Sequence, residues 1–100
     1  MTIKMVKRPP DGAELRLEGR LDSVSAPDAQ TSMLSVCDTY RNVILNFAAL
    51  DYISSAGLRV LLMLQKKMNA SGGKITIIQV SPAVQEIFEL TGFSGILNIE

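Results

Sequence analysis

The 100-residue sequence has no histidine and no tryptophan, a single cysteine, and equal numbers of acidic and basic side chains. Each shortage closes a class of function. Without histidine there is no Ser–His–Asp triad, no His-ligated zinc, and no side chain whose ordinary pKa suits a general base near neutrality. One cysteine, Cys37, permits neither an intrachain disulfide nor a Cys-rich metal site. Its neighbours Val36 and Asp38 lie in a helical pattern, which suits a buried structural thiol better than a reactive one. A formal net charge of zero argues against nucleic acid as the main partner, since binding a phosphate backbone needs a basic face. The apolar run Val60–Leu64 falls far short of the roughly 20 residues that span a bilayer. Met1-Thr2-Ile3-Lys4 leads straight into a strand pattern, with no charged-then-apolar leader. No membrane partner and a cytoplasmic location are therefore expected.

What is present is a regular alternation of strand and helix patterns in one domain, 1–100. A short strand over Ile3–Lys7 ends at Pro9-Pro10, and Pro10-Asp11-Gly12 is a turn sequence. Ala13 to Gly19 alternates apolar and charged residues with period two, as in a strand with one buried face. Ser25 is placed to cap a first helix, with Pro27 in its opening turn. Ala29, Met33, Val36 and Tyr40 fall on one stripe of that helix. Val43 to Phe47 is a branched apolar run, as expected of a central strand. A second helix starts near Ser55, with Gly57, Val60, Leu61, Leu64 and Met68 as its core stripe, and Ser71-Gly72-Gly73 ends it. Lys74–Val80 reads as a strand. Ser81-Pro82 opens a third helix that Gly92 closes, and Ile96–Ile99 is predicted to add an edge strand. The predicted fold is α/β, in the order β-β-α-β-α-β-α-β, a mixed and mostly parallel sheet with helices packed mainly on one face.

The residues of greatest interest are Ser54-Ser55-Ala56-Gly57, where a loop turns into the second helix. Unpaired backbone N–H groups and the positive end of the helix dipole meet there. Two interpretations fit the position. Ser54 or Ser55 is a helix cap, with Gly57 letting the helix start lie close to the sheet. Alternatively one hydroxyl is a phosphorylation site, whose phosphate the helix start tolerates and an acidic partner repels. Catalysis is disfavoured, because this is not the G-x-S-x-G elbow and Lys66 and Lys67 lie three turns away. Asp22, after the second strand, and Asp51 are turn formers with no His or Cys partner, so no metal site is expected. Arg59, Leu62, Met63 and Lys66 lie off the core stripe, as a partner-binding face or as the far side of a broad core.

Three segments in order resemble the STAS domain of the anti-sigma factor antagonist (anti-anti-sigma factor) family. They are Gly19-Arg20-Leu21-Asp22 with Ala26; Val43-Ile44-Leu45-Asn46 through Tyr52-Ile53-Ser54-Ser55-Ala56-Gly57-Leu58; and Ser81-Pro82-Ala83-Val84 to Leu90-Thr91-Gly92-Phe93. The resemblance implies a binding protein, not an enzyme, that acts in partner switching without a cofactor. The unphosphorylated form would bind a GHKL-type serine kinase that doubles as the anti-sigma factor, and phosphorylation would release it. A PP2C-type phosphatase would reset the switch. Carried over residue by residue, the acceptor is Ser55, with Ser54 as the alternative, and Asp22 is the loop aspartate beside it. Asp22, Ser54, Ser55, Gly57, Leu58 and Arg59 would form the docking surface. This chain departs from the family in having Ser54 where Asp often precedes the acceptor, and Ala56 in place of a Ser or Thr. A second role implied by the resemblance is that of a STAS accessory subunit of an ABC-type membrane transporter.

Overall fold

The computed structural model describes residues 1–100. Strands β1 (Thr2–Arg8) and β2 (Gly12–Leu21) form an antiparallel hairpin that sets Ile3 opposite Leu17 and Met5 opposite Leu15. Helix α1 (Ala26–Thr39) crosses to β3 (Asn42–Ile53), which lies parallel to β2. Helix α2 (Ser55–Ser71) crosses to β4 (Lys74–Ile78), parallel to β3. Helix α3 (Pro82–Thr91) and a 3-10 turn (Phe93–Gly95) complete the chain. The sheet order is β1-β2-β3-β4. Two crossovers of the same hand in one direction along a sheet put their helices on the same face.

That face holds the core. Leu15, Leu45 and Ile77 stand opposite one another across the three parallel strands, and all are buried. Phe47 of β3 meets Phe88 of α3, with ring centroids 6.4 Å apart. On α1 the buried stripe is Ala26, Ala29, Met33 and Cys37, while Val36 and Tyr40 are half-buried beside it. Burial pushes the Cys37 thiol up to about 11. The predicted stripe of α2 is buried throughout, and Leu58 joins it. Arg59, Met63 and Lys66 are exposed and Leu62 is half-buried. The far side of α2 is therefore open to solvent rather than a second core face.

The structure corrects three predicted boundaries. β3 does not stop at Phe47 but runs on to Ile53: two shifts in the β2–β3 register, each with one extra residue on β3, carry the pairing from Arg16–Asn46 through Glu18–Ala49 to Leu21–Ile53. β4 ends at Ile78, since Gln79 turns to a positive φ of 59° and takes Val80 out of the sheet. The predicted edge strand Ile96–Ile99 shrinks to one parallel bridge, Ile77–Ile99, because the 3-10 turn leaves Ile96 with helical backbone angles.

The opposite face of the sheet has no helix, yet it contains a buried carboxylate. Glu14 is only 4% exposed. Arg8 Nε and Nη2 donate to its Oε1, while Arg16 Nε (2.8 Å) and Asn46 Nδ2 (3.1 Å) donate to its Oε2. Hydrogen bonds from Arg16, then Arg8 and Asn46, hold its pKa at about 2.

Candidate functional site

The site is built where β2 and β3 end side by side. The Ser54 N–H donates to the Leu21 carbonyl at 2.9 Å, which ties the start of α2 to the end of β2. Ser54 has extended backbone angles and its Oγ accepts the Gly57 N–H at 3.4 Å, so Ser54 is the cap of α2. Its carbonyl accepts the Leu58 N–H at 2.9 Å. Ser55 is the first helical residue; it is exposed, and its hydroxyl has no hydrogen-bond partner. Neighbouring serines thus have different work: one closes the helix end, and the other presents a free hydroxyl.

Asp22 shapes the loop alongside. Its Oδ1 accepts the N–H groups of Val24 (3.0 Å) and Ser25 (3.1 Å), and its own N–H donates to Ser25 Oγ at 3.0 Å. The bonds from Ser25 and Val24 and the charge of Arg20 hold its carboxyl below the usual range, against some desolvation; the Ser25 N–H contributes most. Ser25 was expected to cap α1 through its side chain, and it does not. Its hydroxyl donates instead to the Arg20 carbonyl at 2.7 Å, and the stronger acceptor, Asp22, takes the loop N–H groups. The loop holds Val24 out into solvent, 87% exposed.

Two residues that sequence reasoning left out of the site complete this end of the sheet. Arg20 and Tyr52 are register partners, and the Arg20 guanidinium lies over the Tyr52 ring, 4.3 Å from its centroid. Arg20 Nε is also 3.7 Å from Asp22 Oδ2. Only the β2–β3 register, shifted twice, brings these positions together.

The predicted surface residues do not all reach the surface. Asp22, Ser54, Ser55 and Arg59 stand at this end of the molecule with solvent access. Leu58 is a core residue, 6% exposed, and supports the surface from beneath. Gly57 is buried too: a Cβ there would lie 2.7 Å from the Leu21 carbonyl oxygen and 2.7 Å from Ile53 Cγ1. It is the point where the helix start rests on the strand ends. Next to Ser55 a groove of about 510 Å³ runs between the first halves of α1 and α2, walled by Ala26, Pro27, Ala56, Val60 and Met63 and flanked by Arg59. No group of His, Cys, Asp and Glu side chains is arranged to hold a metal ion. No helix is long and apolar enough to cross a membrane.

The profile of the STAS domain matches residues 3–100. The chain belongs to the STAS-domain family. A relative is BtrV of Bordetella bronchiseptica, classed by its name with the anti-sigma factor antagonists; it is 36% identical over 84 residues, which cover 83% of this chain and 72% of BtrV. The fold is shared with an anti-sigma factor antagonist from Mycobacterium paratuberculosis (TM-score 0.86, 20% identity, 98% of this chain and 83% of that one). It is shared also with the phosphorylated form of the Bacillus cell-fate determinant SpoIIAA (TM-score 0.76, 18% identity, 99% of this chain and 91% of that one). This STAS domain has the four-stranded mixed sheet and three helices of that fold.

Proposed function

We propose that this STAS domain is a phosphorylation-switched antagonist of an anti-sigma-type serine kinase, with Ser55 as the switch. The observation that carries the proposal is the free hydroxyl of Ser55 in the first turn of α2, beside a Ser54 hydroxyl already engaged as the cap. An unbonded, exposed hydroxyl can enter a kinase's active site without breaking any contact of the fold; Ser54 cannot. The similarity to BtrV and to SpoIIAA, solved in phosphorylated and unphosphorylated forms, supports the same role.

In this scheme the partner is a GHKL-type kinase carrying its own ATP. The Ser55 oxygen attacks the γ-phosphorus, the bond to ADP breaks, and the hydroxyl proton passes to a base of the kinase, since this chain has no histidine to take it. The unmodified domain docks through the end of the molecule that carries Asp22, Val24, Ser55 and Arg59, with the α1–α2 groove between them. Phosphoserine adds close to two negative charges at the centre of that surface and ends the complex without disturbing the core. A PP2C-type phosphatase restores the hydroxyl. The chain acts in the cytoplasm, as a binding protein and not as an enzyme.

The direct test is incubation with the cognate kinase and ATP, followed by intact-mass measurement. Wild type gains one phosphate and Ser55→Ala gains none. Undiminished phosphorylation of Ser55→Ala would overturn the assignment, and recovery of an ABC-type ATPase subunit instead of a kinase in pull-downs would replace the whole scheme.

A further inference from the structure

We propose that Arg59 is the residue through which a phosphate on Ser55 acts: its guanidinium is offered to a carboxylate of the partner in the unmodified domain and is captured by the phosphate in the modified one. The inference rests on Ser55 being the acceptor and goes further, to how the charge is read.

Five observations lead to it. Ser55 and Arg59 are four residues apart on one continuous helix, so their side chains are neighbours on the same face, one turn apart. The anion would be N-terminal to the cation, the favoured order for such a pair. Arg59 is exposed and makes no ion pair, whereas Arg8, Arg16, Arg20, Lys4 and Lys67 all have carboxylate partners. It is also the one charged residue lining the groove between α1 and α2. Finally, α2 contains no acidic residue from Ser55 to Ser71, and its next cation, Lys66, lies about 16 Å from Ser55 along the axis. Arg59 is thus the helix's own cation within reach of position 55, and nothing on the helix competes for it.

The chemistry of the partner follows. A groove lined by Ala26, Ala56, Val60 and Met63, with Ser23 and Gln30 among them and one unpaired guanidinium at its edge, fits an apolar side chain with a carboxylate beside it. A phosphoserine at 55 can engage the same guanidinium through two oxygens, as arginine does with phosphate. Phosphorylation then acts twice, placing a dianion against the partner's carboxylate and withdrawing the cation that had paired with it. A switch built on repulsion alone has no need of Arg59.

The test needs no kinase for its first arm. The domain is prepared with phosphoserine at position 55 by semisynthesis, and the second ionisation of the phosphate is followed by 31P NMR in three backgrounds: wild type, Arg59→Gln and Arg59→Lys. The helix start acts equally in all three, so the difference isolates the guanidinium. A phosphate that ionises at lower pH in wild type than in Arg59→Gln, with Arg59→Lys between them, is the expected result; coincident curves overturn the proposal. The second arm measures binding of the cognate kinase to unmodified and phosphorylated chains. Arg59→Gln should weaken the unmodified complex about tenfold. The further loss on phosphorylation should shrink by about tenfold relative to wild type. An unchanged phosphorylation effect in Arg59→Gln overturns the role of Arg59 and leaves the switch at Ser55 intact. Failure of the kinase to modify Ser55 removes the underlying switch instead. Circular dichroism melts confirm that Arg59→Gln, at an exposed site, is folded.

Discussion

Gly57 rests on Leu21 so closely that no side chain fits between them. A Cβ at position 57 would lie 2.7 Å from the Leu21 carbonyl oxygen, an atom fixed by its hydrogen bond from the Ser54 N–H. Because the obstacle is backbone, it cannot swing aside as a flexible side chain would. Gly57→Ala should therefore destabilise the domain by about 1–3 kcal/mol, as overpacked core sites do. For a domain of this size each kcal/mol corresponds to roughly 4–8 °C in Tm. A thermal melt within a degree of wild type would show that the helix start can lift without cost.

The two serines should separate by measurement. Ser54→Ala removes the cap of α2. Its hydrogen bond is long, 3.4 Å, so the loss should lie at the lower end of cap substitutions, about 0.5–1 kcal/mol by urea unfolding. Ser55→Ala touches no bond and should fall within about 0.5 kcal/mol of wild type. The reverse ranking would assign the cap to the wrong residue.

Glu14 makes stability depend on pH in a stated direction. Its folded pKa, about 2, is below the ordinary 4.5, so its contribution is fully present above about pH 4.5 and fades as pH falls towards 2. Between pH 7 and pH 3 the domain should lose about 2 kcal/mol on this account. Glu14→Gln keeps the shape, leaves Arg8 and Arg16 without a counter-charge, and should be less stable at pH 7. It should also flatten this part of the pH profile in urea titrations, and an equally steep profile in the variant would assign the acid sensitivity to other carboxylates.

Val24 gives a test of the docking surface that spares the fold. At 87% exposure it contributes almost nothing to the core, so Val24→Asp should melt within about a degree of wild type. It stands in the loop organised by Asp22, and a charge there should weaken kinase binding at least tenfold by calorimetry. Unchanged affinity would move the contact away from this loop.

Cys37 should be silent towards thiol reagents in the native state. Burial raises its pKa to about 11, leaving little thiolate at pH 8. Labelling should follow unfolding and accelerate in denaturant; rapid native-state modification would contradict its place on the inner side of α1.

Much of this was legible in the chain because it is local. Period-two alternation over Leu15 and Leu17, the Val43–Phe47 run and the Gly57–Val60–Leu64–Met68 stripe depend on which face a residue presents, and spacing alone decides that. Boundaries failed where a partner strand intervened. β3 continues past Phe47 through Asp51 because it takes up one extra residue at each of two shifts in its pairing with β2, and Ile96–Ile99 fails as a strand because Ile96, closing the turn at Phe93–Gly95, keeps helical backbone angles. At the site, Leu58 lay in the motif and was assigned to the surface, yet it faces the core. Arg20 and Tyr52 were overlooked as a pair because no spacing predicts contact across 32 residues.

The sequence by itself determined the alternation of elements, the absence of histidine chemistry, and a pair of hydroxyls at a helix start, since each of these is a property of composition or of neighbours along the chain. Only the tertiary structure shows which of the hydroxyls caps the helix. Ser54 is drawn to the Leu21 carbonyl by the meeting of β2 and β3, which turns its side chain back onto the Gly57 N–H and leaves Ser55 free. The distinction between cap and candidate switch is thus set by a strand more than thirty residues away, through a backbone hydrogen bond that no local pattern encodes.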